Sequence, residues 1–203
     1  ALKLIDPFLD ALSKEIRAAG AMLEGAGLQV RTVYFGGGTP SYYGAKRIKE
    51  LLAHLSKLFQ VEKDAEITVE CNPDSVDLKT FQALRRAGVN RISLGVQSAH
   101  DCELQSLHRP HTFEQAKEAV EAARAAKLKN LSLDLIYGLP EQDMDSWKDS
   151  VEQVLSLEPE HLSCYGLKVE PGTPLDDRVI RGTRLPDDDV QADMYLWMVE
   201  RLA

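Results

Sequence analysis

The chain has 203 residues, 44% of them hydrophobic and 28% charged, a composition that suits one sizeable globular core. Its net charge of −8 and pI near 5.2 argue against nucleic acid as the main partner, leaving room only for a local basic pocket that takes a small anion. No apolar run approaches the ~20 residues of a transmembrane helix, and the opening stretch through Ile16 mixes acids and lysines rather than forming a secretory signal.

In chain order, an amphipathic helix is predicted over residues 6–24, closing near Gly25 and Gly27. A strand at 30–35 runs into Gly36-Gly37-Gly38-Thr39-Pro40, and a helix follows over 46–59. The strand at 66–71 leads through Asn72-Pro73-Asp74 to a helix capped by Asp77 and closed by Gly88. After a strand at 91–96 comes a short helix near 101–107. A longer helix opens at Thr112, where Gln115 three positions on completes a capping box. Strand 131–136, helix 144–155 and strand 162–167 complete the alternation. Residues 176–185 read as a linker, and Pro186-Asp187-Asp188-Asp189 starts a final helix. That helix carries Met194, Tyr195, Trp197 and Met198, enough apolar surface to need a partner beyond the chain end. Strands alternating with helices imply parallel strands covered by helices. The first residue is Ala1 and the last residues fall inside a helical pattern, so the chain reads as a piece of a longer protein.

Four strands end on a glycine or polar cluster, and ligands of parallel α/β folds sit at such carboxyl ends. The faces are informative. Ile67, Val69 and Cys71 oppose Thr68 and Glu70; Ile92, Leu94 and Val96 oppose Ser93, Gly95 and Gln97; Leu131, Leu133 and Leu135 oppose Ser132 and Asp134. One face suits packing against helices, while the other is small and polar. A barrel filled by layers of Val, Ile and Leu lacks such a face, so an open barrel or half-barrel holding a ligand and water is expected.

The glycine loop lacks the lysine of a P-loop and does not fit a dinucleotide fingerprint, so phosphate cradling is disfavoured. Its backbone amides and carbonyls suit an amino or carboxylate group, and a tight strand-to-helix turn is the alternative. Glu70 and Asp134 either accept hydrogen bonds from a ribose diol or an ammonium group, or cap a helix or pair with an arginine. Gln97 both donates and accepts. Arg109 either forms a bidentate pair with a ligand carboxylate or is a solvated loop residue. His108, His111 and His161 have no metal-ligand spacing and read as ordinary loop or surface residues. Cys71, Cys102 and Cys164 lie 31 and 62 positions apart, neither a disulfide framework nor a cluster motif, and read as reduced thiols of a cytoplasmic protein.

The ordered set Tyr34-Phe35-Gly36-Gly37-Gly38-Thr39-Pro40, Glu70-Cys71-Asn72-Pro73, Gly95-Val96-Gln97-Ser98, Arg109 and Asp134-Leu135-Ile136-Tyr137-Gly138-Leu139-Pro140 resembles the oxygen-independent coproporphyrinogen III oxidase family of radical S-adenosylmethionine proteins. The resemblance runs from about residue 2 to 175. The stretch from Ser163 through Lys168 to Pro174 and the segment His108-Arg109-Pro110-His111-Thr112 look more like its heme-chaperone branch, although that branch usually has glycine where His108 stands. The resemblance implies a partial (βα) TIM-like barrel over residues 1–175, here lacking the first strand and cluster loop, with 176–203 as linker and the start of a C-terminal helix or domain. It implies S-adenosylmethionine beside a [4Fe-4S] cluster. Gly37, Gly38 and Thr39 would contact the methionine moiety, Arg109 its carboxylate, and Asp134 and Gln97 the ribose or amino groups. Glu70 would be a further polar anchor and Lys168 would lie near the adenosyl part.

The CxxxCxxC cluster motif, which the family carries upstream of the first helix here, is absent, and cysteines spaced as these are cannot ligate a cluster. The C-terminal domain with its HNxxYW-like element is also absent, so the fragment is expected to lack radical chemistry whatever its parent does. The leading expectation is a heme chaperone with heme as possible cargo and a heme-acceptor protein as partner. The alternative is the oxidase, acting on porphyrinogen propionates. A hydrolytic barrel with Glu70 and Asp134 as acid and base has no placed nucleophile or metal.

Overall fold

The computed structural model describes residues 4–203, so Ala1 to Lys3, where the expected core domain begins, lie outside the described residues. Its five strands occupy one sheet in chain order: β1 (Gln29–Phe35), β2 (Gln60–Cys71), β3 (Arg91–Gln97), β4 (Asn130–Tyr137) and β5 (His161–Gly166). Two compact units are distinguished, one comprising residues up to 71 with 75–92 and 122–129, the other 72–74, 93–121 and 130–203.

In the first unit, α1 (Ile5–Met22) lies against α2 (Gly44–Leu58), and α2 against α3 (Leu78–Ala87). Helix α2 buries Ile48, Leu51 and Leu52, the i, i+3, i+4 stripe of an amphipathic helix. Asp77 caps α3 by accepting from the Thr80 amide at 2.7 Å, and Gly88 closes it at φ 109°, a left-handed value that glycine adopts without a Cβ penalty. Phe81 and Leu84 are completely buried from this helix, each contributing about 1.5–3 kcal/mol. Strand β2 is longer than expected. Its first residues pair in parallel with β1 at Gln29–Gln60 and Val30–Val61, the charged Glu62, Lys63 and Asp64 fall in an irregularity, and pairing resumes at Thr32–Glu66 through Phe35–Val69.

In the second unit, β4 pairs in parallel with β5, with Asp134 opposite Ser163 and Leu135 opposite Cys164. Helices α4 (Asp101–Ser106) and α5 (Phe113–Ala125) follow β3. The predicted capping box is present: the Thr112 amide donates to Gln115 Oε1 at 2.9 Å and the Gln115 amide to Thr112 Oγ1 at 3.3 Å. Helix α6 (Met144–Leu155) opens on a reciprocal Asp143–Ser146 cap and buries Trp147, Val151 and Val154. Residues 174–180 form a helix, α7 (Pro174–Ile180), with Thr173 as N-cap and proline at its first turn, where sequence reading expects a linker from Asp176. Helix α8 (Asp188–Leu202) finds its partner inside the chain. It packs on α6, Met194 and Met198 are buried, and Trp147 Nε1 donates to the Met194 carbonyl at 3.0 Å.

Candidate functional site

The small polar residues expected on one side of β2, β3 and β4 are present there, with Glu70 and Asp134 half-buried and the others buried. Thr68, Ser93 and Ser132 are each at most 4% exposed, and Gln97 is 8% exposed. A hydroxyl fits such a position because it finds a partner across the sheet at little volume cost. Their partners make this face a hydrogen-bonded surface.

In the first unit the glycine loop is fastened to the end of β2. Glu70 accepts from the Gly37 amide at 2.9 Å through Oε2 and from the Tyr34 hydroxyl at 2.7 Å through Oε1. Both carboxylate oxygens are engaged, so Glu70 holds the loop as well as facing it. Gly37 and Gly38 have φ 81° and 63°, and nothing lies within 4 Å of where a Cβ would stand on either. The loop therefore bares backbone to open space, which a side chain at those φ values would disfavour. Thr39 follows, half-buried, and its carbonyl accepts from the Tyr42 amide in the short 3-10 turn Pro40–Tyr43.

In the second unit Asp134 and Gln97 occupy this face. The Ser93 hydroxyl lies 3.0 and 2.9 Å from the two Asp134 oxygens, which orients the carboxylate. Ser132 lies 3.5 Å from Asp134 Oδ1, 2.8 Å from His161 Nδ1 and 3.3 Å from Ser163 Oγ. Asp134 thus sits in a polar network rather than capping a helix. Gln97 ends β3 at φ 72°, the left-handed region that a non-glycine residue enters at a cost of roughly 1–3 kcal/mol. Its neighbours are fixed on both sides: His111 Nε2 donates to the Val96 carbonyl at 3.1 Å, and Ser98 Oγ donates to Glu103 Oε2 at 2.5 Å.

Arg109 is half-buried on the loop between α4 and α5, its amide bonded to the Leu104 carbonyl at 2.9 Å. Lys168 lies beyond β5 with an exposed side chain, paired to Glu170 at 2.7 Å. The structure thus joins Gly37 with Glu70 and sets Asp134 and Gln97 on one polar face, while Lys168 is turned to a neighbouring acid.

One expectation about the histidines changes. His111 is no surface residue: it is 3% exposed, its Nδ1 has no hydrogen-bond partner, and burial, aided by the Arg109 charge, pulls its pKa below the usual value. His108 adopts φ 54°, which accounts for glycine being usual at that place in the branch it resembles. His161 is exposed, as expected.

The thiols do not suit iron ligation. Burial pushes Cys71 up to about 12, and burial with the Asp134 charge pushes Cys164 up to about 11, whereas a ligating cysteine must be a thiolate. Cys102 is exposed. Among the described residues no group of three or more His, Cys, Asp or Glu is placed to hold a metal ion.

Sequence reading passes over Glu103 and Gln142, and it gives Ser93 and Ser98 no partners. Gln142, 4% exposed, accepts from the Gly138 and Leu139 amides at 2.8 and 3.2 Å and donates to Glu103 Oε2 at 3.0 Å. The one available signal is spacing, since Gln142 stands just past the turn it fastens.

Comparison with known proteins shows the family. The model of the radical SAM superfamily matches residues 11–154. The heme chaperone HemW of Haemophilus influenzae is 40% identical over 82% of this chain and 43% of its own length. The heme chaperone HemW of Lactococcus lactis is 36% identical over 98% of this chain and 51% of its own. Among solved structures, the coproporphyrinogen III oxidase HemN of Escherichia coli, a radical SAM enzyme, superposes with a TM-score of 0.82 at 30% identity, over 98% of this chain and 45% of that one. The chain spans about half the length of the curated relatives it matches.

Proposed function

The chain belongs to the radical SAM superfamily and has its partial-barrel α/β fold, and from that premise we propose that it binds S-adenosylmethionine at its strand ends and forms the core of a heme chaperone. The observation that carries the chaperone reading is the 34–40% identity to heme chaperones of six bacterial species. The oxidase reading stands second and rests on the structural likeness to the coproporphyrinogen III oxidase.

The residues suit the ligand. Gly37 and Gly38 bare backbone to open space, and Gln97 is a buried carboxamide held at an uncommon φ. In the proposal the amides and carbonyls of Gly37, Gly38 and Thr39 meet the methionine moiety, and Glu70 keeps that loop in shape. The Arg109 guanidinium takes the carboxylate, because its planar donors match two oxygens. Asp134, oriented by Ser93, accepts from ribose hydroxyls or the amino group, and Gln97 adds a donor and an acceptor. Lys168 reaches the adenosyl part after leaving Glu170. S-adenosylmethionine supplies, when bound beside a reduced cluster in this superfamily, the source of an adenosyl radical. The cysteines of this chain, 31 and 62 positions apart, do not have the spacing of a [4Fe-4S] ligand set. Heme as cargo, a heme-acceptor protein and a cytoplasmic setting belong to the same proposal. Among the described residues no helix is long and apolar enough to cross a membrane.

Heme titration and a product assay on the full-length protein separate the two readings. Stoichiometric heme binding and transfer without decarboxylation is the expected result. Conversion of coproporphyrinogen propionates to vinyl groups overturns the chaperone reading in favour of the oxidase.

A further inference from the structure

A single buried carboxylate joins the loops that follow β3 and β4. Glu103, 5% exposed on α4, accepts at Oε2 from Ser98 Oγ at 2.5 Å and from Gln142 Nε2 at 3.0 Å. On the β3 side, Ser98 Oγ also accepts from the His100 amide at 2.9 Å, and Ser150 Oγ accepts from the Ala99 amide at 3.2 Å. On the β4 side, Gln142 Oε1 takes the amides of Gly138 and Leu139. Gly138 has φ 79°, a left-handed value that suits glycine.

We infer that Glu103 is a positioning residue: through Ser98 it holds left-handed Gln97 in place, and through Gln142 it holds the turn that follows Asp134 and β4. The inference rests on the proposed ligand role of Gln97 and Asp134. Its physical basis is that a buried carboxylate leaves no acceptor unused without cost, so both loops are drawn to the same oxygen and move together. A left-handed glutamine relaxes toward ordinary φ unless its surroundings over-determine it, and Ser98 is the adjoining residue that Glu103 fixes.

The bonding pattern permits a stringent test, because exchanging the two side chains restores the amide-to-carboxylate bond between the loops with its direction reversed. In Glu103→Gln/Gln142→Glu, the new carboxylate still accepts from the Gly138 and Leu139 amides and now also from the new amide nitrogen, which takes the place of Glu103 Oε2; Ser98 Oγ accepts from that nitrogen and turns its own proton toward Ser150 Oγ, 3.4 Å away. Gln142→Glu alone sets two carboxylates against each other. The full-length protein is compared as wild type, Gln142→Glu and the double exchange, each shown to be folded by near-ultraviolet circular dichroism. Amide exchange is read without ligand, and S-adenosylmethionine affinity is read by calorimetry.

Gln142→Glu is expected to speed exchange about tenfold or more at Gly138 and Leu139 and also at Ala99 and His100, which Gln142 does not touch, and to weaken affinity about tenfold. The double exchange is expected to restore both to within about threefold. Loss of protection confined to Gly138 and Leu139, or no recovery in the double exchange, overturns the coupling. Coupled exchange with unchanged affinity overturns the positioning role. Wild-type protein that does not bind S-adenosylmethionine overturns the proposed ligand instead, and the exchange data still decide the coupling.

Discussion

Gly37 and Glu70 are tied by a 2.9 Å hydrogen bond from the loop amide to the end of β2, so a glycine run that sequence alone renders floppy has one fixed point. The carboxylate earns its place twice, since the Tyr34 hydroxyl donates to its other oxygen at 2.7 Å. Glu70→Ala is expected to raise amide exchange at Gly37 about fivefold or more, with the melting temperature changed little, because the bonds lie at a solvated surface. Glu70→Gln, which keeps one acceptor oxygen, is expected to fall between. Unchanged exchange in Glu70→Ala contradicts the tether.

His111 gives the fold a pH dependence of known sign. Its folded-state pKa is lowered, chiefly by burial, then by Arg109, against the Val96 carbonyl and the Asp74 and Asp101 charges, which act the other way. Above about pH 6.5, the ordinary histidine value, folded and unfolded chains are both neutral here and the full stability is present. As pH falls below that value the unfolded chain takes a proton the folded chain refuses, and stability declines until the folded pKa is reached. Urea midpoints between pH 7.5 and 5 are expected to fall less steeply in His111→Gln, whose amide can still donate to Val96. Identical slopes contradict the assignment.

The backbone at His108 calls for glycine. At φ 54° a Cβ costs roughly 1–2 kcal/mol, partly offset by the greater freedom glycine has when unfolded. His108→Gly is expected to stabilise the protein by up to about 1 kcal/mol in chemical denaturation. A loss of stability is the contrary outcome.

The three thiols are expected to separate in reactivity. Cys102 is exposed, while Cys71 and Cys164 are held near 12 and 11. At pH 8 a disulfide reagent is expected to label Cys102 first and the other two about 100-fold more slowly, because the thiolate is the nucleophile. All three are expected to react at similar rates in denaturant. Rapid native labelling of Cys71 contradicts its burial.

Local signals were the legible ones. Asp77 and Gly88 bracketed α3, Thr112 with Gln115 marked α5, and period-two alternation found the polar face of Ser93 and Ser132, because each rests on neighbours within a few positions. The first half of β2 is hidden, since Glu62, Lys63 and Asp64 alternate no apolar residues and lie in the irregular stretch between the two paired segments that β2 makes with β1. Helix α7 is hard to read although Thr173 and Pro174 are a cap and a first-turn proline, because aspartates such as Asp176 and Asp177 also favour turns and linkers. Glu103, His111 and Gln142 were hidden for another reason: charged and polar residues are usually exposed, and only the tertiary fold brings their partners to them.

The polar strand ends are proposed to bind S-adenosylmethionine, and calorimetric titration of the full-length protein with that ligand is the decisive measurement. Wild type is expected to bind, and Asp134→Ala and Arg109→Ala, both still folded, are expected to bind at least about tenfold more weakly, each losing a charged contact. Unchanged affinity in both variants contradicts the claim.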